Sequence, residues 1–146
     1  LNAISGIGVA RNYGSETPTM LAIRDRRPFP ADLVVIALGT NDFIRGRLDP
    51  ERYSEAYSAL LAQVREDHPI APFLHVCSPM LEQADEIVQA SVYEALGLSS
   101  VVRFGKRYVS GCAGHPDLQE HQRMADAIEP LIRTIMGWDD QRPKSS

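Results

Sequence analysis

Asn41 is the residue best placed to meet a reacting carbonyl group. It stands in Gly39-Thr40-Asn41-Asp42, directly after the apolar run Leu33-Val34-Val35-Ile36-Ala37-Leu38. Such a run, stopping at glycine and polar residues, reads as a buried parallel strand followed by a loop. In an open α/β sheet the ligand site lies just past the carboxyl ends of the strands. A side-chain amide fixed there can donate to negative charge as it develops on a carbonyl oxygen. The same four residues also suit an ordinary βα turn, with Asn41 or Asp42 capping a helix.

Two further segments carry residues of related chemistry. Asn2-Ala3-Ile4-Ser5-Gly6-Ile7-Gly8 runs on to Arg11-Asn12-Tyr13-Gly14, and Gly111-Cys112-Ala113-Gly114-His115-Pro116 precedes a helix-like stretch. A Ser-Gly loop, a Gly-Thr-Asn-Asp loop and a late His-Pro, in that order, resemble the SGNH (GDSL-type) hydrolases. Within that family they look most like carbohydrate esterase family 2, the acetylxylan-esterase group, and the resemblance covers nearly the whole chain. It implies His115 as the catalytic base, with Gly6 (backbone N–H) and Asn41 (side-chain amide) forming the oxyanion hole. It implies no metal and no organic cofactor. It also implies a nucleophilic serine in a Gly-Asp-Ser or Gly-Asn-Ser block, and no such block occurs in this chain. The expectation is that the block precedes Leu1, and that this chain alone has negligible esterase activity. Ser5 falls in the second block beside Gly6, away from the nucleophile's place.

A serine–histidine pair gains from a third group that orients the imidazole. Most SGNH enzymes place an aspartate at the position that is Cys112 here, and the esterase group often places it where Ala113 stands. Asp117, at the start of the following helix, is expected to point away. A backbone carbonyl could fill the role, since orientation is the main requirement. His68, His75 and His121 match no motif: His68 is expected in solvent at a helix end, His75 as a satisfied core histidine, and His121 facing outward or packed on its own helix. Arg11, Tyr13 and Phe43 fit either a substrate cleft or ordinary packing and ion pairing. Trp138 fits either a sugar-stacking platform or the edge of the core.

The elements that must position these residues alternate. Strands are predicted over residues 33–38, 73–77 and 101–104, with residues 1–5 as the end of another. Helices are predicted over residues 50–66, 81–96 and 117–136, with a shorter one over 17–27. In the first of these Tyr53, Ala56, Tyr57, Leu60, Leu61 and Val64 follow helical spacing, and Pro50 suits the first helical position. Gly97 should stop the second, and Pro130 should kink the third. Alternation of this kind gives an α/β fold, a parallel sheet with helices on both faces. The family resemblance implies a doubly wound, flavodoxin-like α/β/α sheet of five strands ordered 2-1-3-4-5. On that pattern the central first strand is missing at the N-terminus, and residues 33–38 lose a ladder partner. Residues 1–138 then form a partial hydrolase domain, and residues 139–146 a disordered polar tail.

Composition bounds the rest. The 146-residue chain is 44% hydrophobic and 23% charged, ordinary values for one globular domain. A net charge of −4 with both signs dispersed argues against a nucleic-acid partner. No apolar run approaches the ~20 residues that span a bilayer, so no membrane partner is expected. Cys77 and Cys112 lack zinc-site spacing, and they fit either a disulfide or two buried thiols. They leave the compartment open. The reading is a carboxylic-ester hydrolase acting on an acylated carbohydrate or small ester, with lipases and thioesterases as near competitors. The alternative is an inactive remnant or a carbohydrate-binding pseudoenzyme.

Overall fold

The computed structural model describes residues 30–43 and 50–138. The readings made for residues 1–5, Gly6, Arg11, Tyr13, residues 17–27 and the tail 139–146 lie outside the described residues. Three parallel strands, β1 (Val34–Ile36), β2 (Phe73–Val76) and β3 (Val101–Val102), lie in the order β1-β2-β3. Helices α1 (Thr40–Phe43) and α2 (Pro50–Asp67) connect β1 to β2, and α3 (Gln83–Ala95) connects β2 to β3. A short 3₁₀ turn (Cys112–Gly114) and α4 (Leu118–Met136) follow.

The two faces of the sheet are covered by different helices. On one side Ile36, Phe73 and Cys77 pack with Tyr53, Tyr57, Leu60 and Val64 of α2 and with Val92 and Tyr93 of α3. On the other, Leu74, Val76 and Val102 pack against Ile128, Ile132 and Ile135 of α4. β2 is therefore buried along its whole length, which explains why it reads as a continuous apolar run and not as an alternating one. Among the described residues the fold is thus an α/β sandwich of helix, parallel sheet and helix.

All three strands are shorter than their apolar runs. At the ends of the first and third runs, side chains of α3 take up backbone groups. The Gln89 amide donates to the Leu38 carbonyl (2.6 Å), and the Glu86 carboxylate accepts from the Phe104 N–H (2.6 Å). Helix bounds shift less. α3 is shorter than expected, and Gly97 follows its C-cap at φ +70°, the left-handed conformation that ends helices. α4 begins after Asp117, and Pro130 lies inside its continuous span. Pro130 lacks the N–H that would pair with the Asp126 carbonyl, and both residues are exposed. His68 follows α2 half-buried, not in open solvent.

His75 is the satisfied core histidine that its strand position suggested. It is 3% exposed, and its Nδ1 lies 2.8 Å from the Tyr57 hydroxyl, within hydrogen-bond distance. Burial, and secondarily the Arg65 charge, lower its pKa to about 4. The sign follows from the unfolded value of about 6.5. Between that value and about 4 the unfolded chain takes up a proton that the folded chain refuses, so stability falls as pH drops through this window. Denaturant unfolding at stepped pH should show that loss. His75→Asn, which keeps an acceptor for Tyr57 but does not titrate, should flatten the slope between about pH 6 and pH 4. An unchanged slope would assign the acid sensitivity to other groups.

Candidate active site

The loops that leave the sheet at its carboxyl edge are tied to one another. After β1 the Gly39 carbonyl accepts from the N–H groups of Asp42 and Phe43, which closes α1 (both 3.0 Å). Asn41 lies in this turn, while its side chain lies outside the described residues. Gly39 has φ +120°, and a Cβ there would sit 2.3 Å from Gln89 Nε2. Only glycine permits both the backbone angle and the approach of that amide. Thr40 and Ser78, from the loops after β1 and β2, form a very short hydroxyl–hydroxyl hydrogen bond. The Ser78 N–H donates to Gln89 Oε1 (2.9 Å). The Tyr108 N–H then donates to the Pro79 carbonyl (2.8 Å), joining the segment after β3 to the loop after β2.

His115 stands on the continuation of that segment. The Gly111 N–H donates to the His115 carbonyl (2.7 Å), and the His115 N–H donates to the Cys112 carbonyl (3.1 Å). The turn between them uses two left-handed residues, Ala113 (φ 54°) and Gly114 (φ 72°). A Cβ on Gly111 would lie 2.8 Å from the His115 oxygen, so glycine is required by close approach. The imidazole is exposed, and its Nδ1 lies 3.3 Å from the Cys112 carbonyl. In the neutral ring, donation from Nδ1–H to that carbonyl puts the free lone pair on Nε2, the tautomer a general base uses.

The N-terminus of α4 anchors this loop. The Asp117 side chain accepts from the Glu120 N–H (2.7 Å), and Glu120 accepts from the Asp117 N–H (3.1 Å), a reciprocal capping box. The Glu120 carboxylate also takes the Ser110 N–H (2.9 Å) and hydroxyl (2.8 Å). Burial opposes its charge, but the bonds from Ser110, Asp117 and Val109 outweigh it and hold the carboxyl below the usual range. Asp117 is thus engaged as a cap.

Residues 2–136 match the GDSL-like lipase/acylhydrolase family. The chain belongs to that family. Its likeness within the family runs to carbohydrate esterase family 2. It is 29% identical to the cellulase/esterase CelE of Acetivibrio thermocellus, over 93% of this chain and 20% of that protein. It is 26% identical to an acetylxylan esterase/glucomannan deacetylase of Cellvibrio japonicus, over 78% of this chain and 34% of that protein. The chain therefore spans a fifth to about a third of these two relatives. A family two carbohydrate esterase from Clostridium thermocellum, solved in complex with cellohexaose, superposes with a TM-score of 0.67 at 29% identity, covering 91% of this chain and 48% of that one. The fold is SGNH-like.

In this GDSL-family chain Phe43 takes the plainer of its two readings. Phe43 is buried and packs edge-on against Tyr53, with ring centroids 5.2 Å apart, so it is a core aromatic. Trp138 is exposed just past the far end of α4 from His115. At about 1.5 Å per residue that helix sets it roughly 30 Å from His115. Cys77 is buried and Cys112 exposed, both as free thiols, so neither a disulfide nor a pair of buried thiols is present. His121 is exposed on α4, as expected.

Glu120, Glu86 and Gln89 escaped the sequence reading. The first carried a usable signal: Asp117-x-x-Glu120 before a helical pattern is a capping-box spacing. The other two are polar residues inside an amphipathic helix, and nothing local says that their face meets the strand ends.

Two substitutions should separate capping of α4 from positioning of the His115 ring. Asp117→Ala should cost about 1 kcal/mol in denaturant unfolding, the usual loss for a helix cap. It should leave the His115 ring resonances nearly unmoved in NMR spectra. Gly111→Ala should shift those resonances strongly, because the added methyl meets the His115 and Pro116 carbonyls. Equal shifts from both would mean that the cap, and not the glycine contact, sets the ring.

Proposed function

We propose that this chain carries the base and oxyanion donors of an SGNH-type carboxylic-ester hydrolase that removes acetyl groups from a polysaccharide. The nucleophile is a serine N-terminal to Leu1, in the Gly-Asp/Asn-Ser block that these residues lack. On this reading the upstream strand carrying that serine completes a doubly wound sheet beside β1. The observation that carries the reading is the Nδ1 contact of His115 with the Cys112 carbonyl (3.3 Å). It supplies the orienting acceptor at the very residue that replaces the usual aspartate.

The proposed chemistry combines the His115 geometry with the roles that the family resemblance implies for Gly6 and Asn41. His115 Nε2 takes the serine proton as Oγ attacks the acetyl carbonyl. The Gly6 N–H and the Asn41 amide donate to the oxyanion of the tetrahedral intermediate. His115 returns the proton to the departing sugar oxygen as the C–O bond breaks and acyl-serine forms. Water then attacks, His115 takes its proton, and acetate leaves as serine regains hydrogen. A carbonyl in place of aspartate fixes the tautomer but adds no negative charge beside the imidazolium, so the base is oriented more than it is strengthened. The substrate class rests on relatives described as acetylxylan esterase/glucomannan deacetylase and on a related structure holding cellohexaose.

The test is hydrolysis of p-nitrophenyl acetate and acetylated xylan. The 146-residue chain alone should be inert. In the full-length protein Asn41→Ala should cost about 10²–10³-fold in kcat, the usual loss of one oxyanion donor. His115→Ala should cost more, at least roughly 10³-fold, because the base acts in both acylation and deacylation. Turnover by the isolated chain that vanished in Ser5→Ala but survived His68→Ala would overturn the assignment and make Ser5 the nucleophile.

A further inference from the structure

Gln89 is fully buried on α3, yet every polar atom of its side chain is engaged at the carboxyl edge of the sheet. Its Oε1 accepts the Ser78 N–H at 2.9 Å. Its Nε2 faces the Leu38 carbonyl at 2.6 Å and the hydroxyls of Tyr53 and Tyr93 at 2.9 and 2.8 Å. The orientation of the amide is forced. Flipped, it would set oxygen against the Leu38 carbonyl and N–H groups against the Ser78 N–H. Two amide hydrogens are shared among three acceptors, and the Tyr53–Tyr93 hydroxyl pair (3.1 Å) completes the network. One turn away on the same helix face, Glu86 takes the N–H groups of Phe104 and Gly105 (2.6 and 3.0 Å). α3 therefore holds backbone groups just past all three strands.

We propose that Gln89 is a positioning residue for the oxyanion donor: its amide fixes the peptide between Leu38 and Gly39 and, through it, the turn that carries Asn41. The turn begins at the Gly39 carbonyl, so rotating that peptide re-aims α1 as a unit. Gly39 is the complementary half of the device, since its missing Cβ lets Nε2 reach the backbone. The Ser78 bond and the Thr40–Ser78 hydroxyl contact hold the neighbouring loop in register with the turn. Gln89 touches no reacting atom. This role rests on the reading of Asn41 as an oxyanion donor, and the experiment must tell the two failures apart.

The test combines hydrogen exchange with a mutant cycle in the full-length protein. Gln89→Met, of similar volume but without amide bonds, should speed exchange in peptides covering residues 38–43 and 77–80, and leave the centre of α4 unchanged. It should lower kcat for p-nitrophenyl acetate by about 10–100-fold with KM little altered, since the lost interaction acts in the transition state. In an Asn41→Ala background the same change should cost less than about 3-fold, because coupled residues are not additive. Tyr93→Phe, which leaves the Leu38 and Ser78 bonds in place, should cut kcat by less than about 3-fold even as it lowers Tm. Faster exchange throughout the protein, or full additivity with Asn41→Ala, would overturn the proposal and leave Gln89 a structural residue. If Asn41→Ala itself has no effect on kcat, the oxyanion reading fails and the exchange pattern alone judges the clip. If Gln89→Met does not fold, the unmutated protein decides: Gln89 side-chain amide protons should exchange slowly, and rapid exchange would refute the clip.

Discussion

A parallel sheet leaves backbone groups at the carboxyl ends of its strands with no ladder to continue into, and the site depends on how this chain satisfies them. Its solution is a set of buried polar side chains on the covering helices. Gln89 joins the ends of the loops after β1 and β2, Glu86 takes the backbone after β3, and Glu120 holds the strap that leads to His115. A buried amide or carboxylate costs free energy unless nearly all its bonding capacity is met. These three meet theirs with backbone groups of loops, so the cost of burial and the fixing of the loops are one arrangement. Had aliphatic residues stood there, α3 would pack as well, but the strand ends would keep unpaired N–H and carbonyl groups.

The second constraint is local to His115. The left-handed pair Ala113-Gly114 turns the chain sharply, and Gly111 lets the His115 carbonyl approach. Together they fold the histidine back onto the Cys112 carbonyl, which accepts from both its backbone N–H and its Nδ1. An orienting group therefore arises from the backbone without an acidic side chain. The neighbouring acids are otherwise engaged: Asp117 caps α4, and Glu120 binds Ser110.

Much of this was legible in the sequence, because period and punctuation are local. The apolar runs ending at Gly39 and Cys77, the helical spacing of Tyr53, Tyr57, Leu60 and Val64, and the Gly97 stop all mark elements that formed. Strand lengths were not legible, since hydrophobicity extends past the point where Gln89 and Glu86 capture the backbone. The family match and the two tethered loops agree with the motif order.

The most direct measurement is a crystal structure of the full-length protein with a phosphonate that mimics the tetrahedral intermediate. The account predicts the phosphonyl oxygen within about 2.7–3.1 Å of both the Asn41 amide and the Gly6 N–H, with His115 Nε2 at the serine oxygen. Asn41 and His115 side chains on opposite faces of the sheet, or more than roughly 10 Å apart, would contradict it, since both must reach one tetrahedral centre.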